Sequence, residues 1–249
     1  MRAKLFCSLV LMLVSLQVIS AQEEVYEFRT YELEFFRSAD VLHNYFKDAL
    51  IPAFNRQGIE HIGAFEEASD ALPKKVYLLV AYANIQAFQD SQDALAQDEK
   101  YLKDAHDYLV AGDDLIPYKQ ISISLIRSSK GFPNLVRPND EANLFELRIY
   151  TSANEDALRR KVKMFNDAEF PIFADAGLPM MFFGVNIAGE QMPCLTYMLA
   201  LKDKEAHAEG WSKFIVHPEW QRIIKVEEYA NSMNDIIRVF LKPLPYSQL

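Results

Sequence analysis

The 249 residues are 50% hydrophobic and carry 35 acidic against 26 basic residues, a formal net charge of −9. That length holds one sizeable core or two domains of about 110 residues, and an acidic chain repels phosphate backbones, which excludes nucleic acid as a partner. Two cysteines, Cys7 and Cys194, exclude a disulfide framework, so stability must come from apolar burial, to which 12% aromatic residues contribute.

In chain order the first segment is a leader. Arg2 and Lys4 precede an apolar run over residues 5–19, and Ser20 and Ala21 offer small residues for cleavage. This is the form of a secretory signal peptide over residues 1–21, cut between Ala21 and Gln22. The run, interrupted by Ser8, Ser15 and Gln17, falls short of the roughly 20 residues a spanning helix needs. The expectation is a periplasmic or secreted protein with no stable membrane insertion after cleavage. Losing Arg2 and Lys4 takes the net charge to −11, and losing Cys7 leaves Cys194 alone.

The rest of the chain repeats itself. Tyr26-Glu27-Phe28-Arg29-Thr30-Tyr31 recurs 119 residues later as Phe145-Glu146-Leu147-Arg148-Ile149-Tyr150. The same offset joins Phe46 to Phe165, Asp48 to Asp167, Pro52 to Pro171, Phe54 to Phe173 and Gly58 to Gly177. With one residue inserted, Tyr77 pairs with Tyr197, Leu79 with Leu199 and Glu99 with Glu219. A constant offset over such a stretch marks a duplicated unit. The copies are residues 22–127 and 143–249, and the polar segment 128–142, with Gly131, Pro133 and Pro138, is the linker.

Each copy opens with a period-two segment, 25–31 or 144–150, and so with a strand. Val41, Leu42, Tyr45, Phe46, Ala49 and Leu50 then follow helical spacing, between a cap at Ser38 or Asp40 and a stop at Gly58. Leu158, Val162 and Phe165 repeat the pattern. Pro52 and Pro171 each remove an amide donor, so the late turns should bend or break. Second strands are expected at 59–65 and 180–185, third strands at 76–82 and 195–201, helices at 86–102 and 205–224, and last strands at 120–126 and 236–241. This β-α-β-β-α-β order is ferredoxin-like and leaves one sheet face bare. The third strands are apolar on both faces and demand cover there. The expected architecture is therefore α+β: two ferredoxin-like repeats packed as an intrachain dimeric α/β barrel.

Along the first strands Glu27, Arg29 and Tyr31 share one face, as do Glu146, Arg148 and Tyr150 in the second copy. If the apolar sides meet the helices, these faces turn into the barrel. There they would either close as ion pairs that set register or hold a small anionic or carbonyl-bearing ligand. His61, on a strand with Gly63 and Phe65, is a further candidate. His43, His106 and His207 are expected to be solvated, and His217 to open a helix at Pro218. No zinc spacing, haem-attachment motif, phosphate loop, dinucleotide fingerprint or nucleophile elbow is present, so neither cofactor nor metal is called for. Cys194, beside an apolar strand, is either a reactive thiol or, as is commoner in that setting, inert core filler.

The two strand motifs, the segment His217-Pro218-Glu219-Trp220 and the ending Leu241-Lys242-Pro243-Leu244-Pro245-Tyr246-Ser247 resemble exported bacterial members of the NIPSNAP family. The resemblance covers nearly the whole mature chain and implies ferredoxin-like dimeric α/β-barrel domains. Barrels of that kind include cofactor-independent monooxygenases, haem-degrading enzymes and stress-response proteins. The family brings no settled catalytic motif, and the adaptor role of its mitochondrial members does not carry over to an exported chain. Two functions follow as expectations: a small-molecule binding or interaction protein that uses the barrel interior, or a cofactor-independent oxygenase. A homo-oligomer is compatible with either.

Overall fold

The computed structural model describes residues 23–249, and the leader expectation falls outside them. The first copy supplies strands β1 (Val25–Leu33), β2 (Ile62–Glu67), β3 (Lys75–Tyr82) and β4 (Tyr118–Ser128); the second supplies β5 (Leu144–Thr151), β6 (Met180–Ala188), β7 (Cys194–Leu201) and β8 (Asp235–Pro243). Within each copy the order is the ferredoxin-like one, β4-β1-β3-β2 and β8-β5-β7-β6, with all neighbours antiparallel. Seams β2–β8 and β4–β6 join the two sheets into a closed eight-stranded barrel. Closure pairs the strand edges that each half alone would leave open.

Helices lie outside. Over the first sheet run α1 (Asp40–Asn44), α2 (Ile51–Arg56), α3 (Ile85–Gln97), α4 (Glu99–Asp104) and α5 (His106–Leu109). Over the second run α6 (Glu155–Met164), α7 (Phe170–Asp175), α8 (Lys204–Val216) and α9 (Pro218–Ile223). The expected break at the prolines does not occur. The segments Tyr45–Leu50 and Phe165–Glu169 are π-helical and carry the chain from α1 into α2 and from α6 into α7. Pro52 and Pro171 then fall in the first turn of the resumed α-helix, where a missing N–H costs little. Asn84 and Asp203 cap α3 and α8 at equivalent positions, and the His217 ring caps α9 through Glu219 N at 3.2 Å.

Strand register corrects the proposed insertion. Arg29 stands opposite Leu78 and Arg148 opposite Tyr197, so the 119-residue offset persists through the third strands. A one-residue slip moves a side chain to the other face. Tyr77 accordingly packs inside the barrel while Tyr197 packs under the helices.

The faces of the first strands are also the reverse of the expectation. Tyr26, Phe28, Phe145 and Leu147 fill the barrel with Phe65, Phe182 and Met198, whereas Tyr31 and Tyr150 belong to the cores beneath the helices. The lumen of an eight-stranded barrel is just wide enough for side chains to fill. It suits bulky apolar groups and has no room for a helix to bring donors to a buried carboxylate. One end of the lumen is closed. Leu135 of the linker plugs it, held by Leu135 N donating to Glu24 Oε2 at 2.6 Å and Val136 N to Met181 O at 2.8 Å. The C-terminal Leu249 packs there beside Gly63, whose missing side chain makes way for the Phe65 ring.

Candidate functional site

Each Glu-x-Arg-x-Tyr face is a buried cluster between sheet and helices. In the first copy Glu27 accepts from Arg29 Nε at 2.7 Å, from Arg29 Nη2 at 3.0 Å and from Tyr82 OH at 3.0 Å. Burial works against the Arg29 charge, but Glu27 prevails and holds the guanidinium well above its ordinary range. This fork-to-fork pair is closed on itself.

The second copy is richer. Glu146, fully buried, accepts from Arg148 Nη1 at 2.7 Å, from His207 Nε2 at 3.1 Å and from Trp211 Nε1 at 3.1 Å, and Arg238 Nε lies 4.0 Å away. Arg148 Nε donates to Tyr150 OH at 3.2 Å, Tyr150 and Tyr197 share a hydrogen bond of 2.7 Å, and the guanidinium lies 4.4 Å from the Trp211 ring centre. A second buried pair, Lys161 to Glu169 at 2.5 Å, packs against Tyr150, Phe165 and Trp220. Burial raises the Glu169 carboxyl above its ordinary value despite Lys161. Of the charged residues here, the sequence motif marks only Glu146 and Arg148. Lys161, Glu169, His207 and Arg238 sit on four other segments, α6, the π-helical turn after it, α8 and β8, that only tertiary folding brings in.

The other candidate site is the open end of the barrel. A cavity of about 190 Å³ is walled by Phe28, Tyr77, Leu147, Ile149 and Val239 and rimmed by Glu32, Lys75, Gln120 and Glu190. Asn186, only 4% exposed, accepts from Thr196 Oγ1 at 2.7 Å, and its Nδ2 has no protein partner among the described residues. Ser122 Oγ donates to Glu190 Oε1 at 2.8 Å across the rim. Gly189, at φ +131°, lets the β6–β7 turn close on Ser124, where a side chain would collide.

The NIPSNAP family model matches residues 26–114 and 145–248, one segment in each copy. The chain belongs to the NIPSNAP family. No curated protein matches it in sequence. Among solved structures it is similar to a candidate monooxygenase of Fusobacterium nucleatum, with 11% identity, 89% of this chain and 93% of that one covered, and a TM-score of 0.53. A second candidate monooxygenase, from Lactobacillus acidophilus, gives 10% identity, 89% and 94% coverage and a TM-score of 0.55. A NIPSNAP-like domain protein of Burkholderia xenovorans aligns over 43% of this chain and 90% of its own length, at 18% identity and a TM-score of 0.39. At these identities the first two likenesses describe a shared fold.

The remaining candidates of this NIPSNAP protein stand apart from both sites. His61 lies one residue before β2, its carbonyl already accepting from Ala81 N of β3 at 3.1 Å, and it faces a separate cleft of about 320 Å³. His43, expected in solvent, bonds Tyr246 OH through Nδ1 at 2.6 Å. His207 is likewise not solvated, its side chain being 17% exposed against Glu146. Cys194 is buried, and burial alone pushes its thiol up to about 11, in keeping with filler. Among the described residues no group of three or more metal-ligating side chains converges, and no helix is long and apolar enough to cross a membrane.

Proposed function

We propose that this protein binds a small, largely apolar organic molecule bearing a carbonyl or similar acceptor, in the open mouth of its barrel. The observation that carries the reading is Asn186 Nδ2, a donor on a nearly buried side chain that lines an apolar-walled cavity and has no protein partner among the described residues. That amide opens onto the mouth, where water can reach it, and a ligand acceptor would take the place of that water. Tyr77, whose hydroxyl burial keeps protonated, stands in the same wall as a second donor. At about 190 Å³ the space is below the roughly 300 Å³ of drug-sized sites, which limits the ligand to a small molecule. The oxygenase alternative is supported only by the fold shared with the two candidate monooxygenases.

Native mass spectrometry of the purified protein and thermal melts against small ketones and amides test the reading. A ligand at ten times its Kd should add about 1.4 kcal/mol, or about 3–6 °C in Tm. Leu147→Trp, which fills the cavity, and Asn186→Leu should lose that gain; an equal gain in both variants would reject the mouth as the site. Export is proposed on the leader pattern, and N-terminal sequencing of the protein recovered outside the cytoplasm should begin at Gln22.

A further inference from the structure

Duplication supplies an internal control on the second copy's charged cluster. Where the second copy carries Lys161, Glu169, His207, Trp211 and Arg238, the first holds Leu42, Leu50, Phe88, Gln92 and Ile123 at the matching positions and builds the same elements. The fold does not demand these polar groups. Two of them are also left with unspent capacity. Arg238 stands directly opposite Arg148 across β5 and β8, and like charges at facing positions destabilise a sheet. The carboxylate beside them, Glu146, is engaged by Arg148 and lies 4.0 Å from Arg238, which has no other ion-pair partner among the described residues and is 54% exposed. His207 commits Nε2 to Glu146, while its Nδ1 has no protein partner among the described residues. Both side chains lie against Phe240, with ring or guanidinium 5.1 and 5.7 Å from its centre.

The geometry points to an acid–base site on the outer face of the second copy, taking a small organic carboxylate with an acidic C–H, in which Arg238 holds the carboxylate and His207 Nδ1 accepts the proton. Glu146 positions the imidazole: by accepting from Nε2 it makes that nitrogen the protonated one and leaves Nδ1 as the base. In the step, the substrate C–H bond breaks, its electron pair stays on the substrate as an enolate, and an N–H bond forms at Nδ1. Return of the proton to carbon restores both partners, so no oxidant or co-reactant is needed. The site is separate from the barrel mouth, which uses the opposite faces of β5 and β8 through Leu147, Ile149, Ile237 and Val239.

Pyruvate is a suitable probe, because it joins a carboxylate to an exchangeable methyl group. On the unaltered protein, the ¹⁵N shifts of His207 should report an Nε2–H tautomer and should move saturably as pyruvate is added. In D₂O, loss of the pyruvate methyl proton signal should be about 100-fold faster than with His207→Phe. Arg238→Ile should raise the half-saturating concentration about tenfold. Both substitutions install the residue the first copy already holds, so the fold should persist, and melting curves check that. Mixed tautomers, no ring response to pyruvate, an equal response in Arg238→Ile, or exchange no faster than in His207→Phe would each overturn the proposal.

Discussion

Arg29 and Arg148 occupy one position in two copies, yet removing them should have different consequences. Breaking a buried pair from one side typically costs about 3–5 kcal/mol, whereas replacing both partners with apolar groups can be neutral. Arg29→Met should therefore destabilise by about that amount, and adding Glu27→Leu should restore most of it, because only Tyr82 OH then loses its acceptor. The pair Arg148→Met with Glu146→Leu should recover less, since His207 and Trp211 both lose theirs, at about 1–3 kcal/mol for each buried donor left unpaired. Urea denaturation of the four single and double variants against wild type measures both. At the same scale, Cys194 should resist iodoacetamide at pH 8 in the native protein and react once denatured, because the thiol is buried and raised to about 11; rapid native labelling would contradict the packing.

Among the elements, α6 and the π-helical segment after it set the copies apart through Lys161 and Glu169, where the first copy packs Leu42 and Leu50. Glu169 has a folded value raised above its ordinary 4.5 by burial. The folded state then holds this proton more tightly than the unfolded one, so its contribution to stability falls as pH rises from 4.5 through the folded value. Lys161→Leu with Glu169→Leu abolishes that loss. The double variant should gain on wild type more at pH 8 than at pH 4, as read from denaturant midpoints at the two pH values. A gain that is larger at pH 4 would mean that Lys161 holds Glu169 ionised.

For the whole molecule, the barrel makes the two copies one folding unit. All of β7 is buried, and Tyr26, Phe28 and Phe145 pack in a core built from both sheets. A single copy would expose a sheet-sized apolar face and two open edges. Residues 22–130 and 140–249 expressed separately should aggregate or self-associate, whereas the intact chain should melt in one transition; two soluble halves with independent melts would contradict a shared core. Calorimetry and sedimentation give the answer.

Element order, duplication and barrel closure were legible in the sequence because period-two and helical spacing are local, and because the repeated Glu-x-Arg-x-Tyr motif carries its register with it. The linker and the doubly apolar third strands also pointed to joined sheets. Which way the first strands face was not legible, since each is largely buried on both sides and alternation names two faces without saying which meets a helix. That choice rested on where donors could reach Glu27 and Glu146: Tyr82, His207 and Trp211 arrive from elements 55 to 65 residues away. Closure of one barrel end by Leu135 and exposure of Asn186 Nδ2 at the other depend on contacts between segments that no local pattern connects. The sequence by itself determined the duplicated barrel architecture; tertiary structure alone decided which polar groups find protein partners, because those partners come from segments distant in the chain.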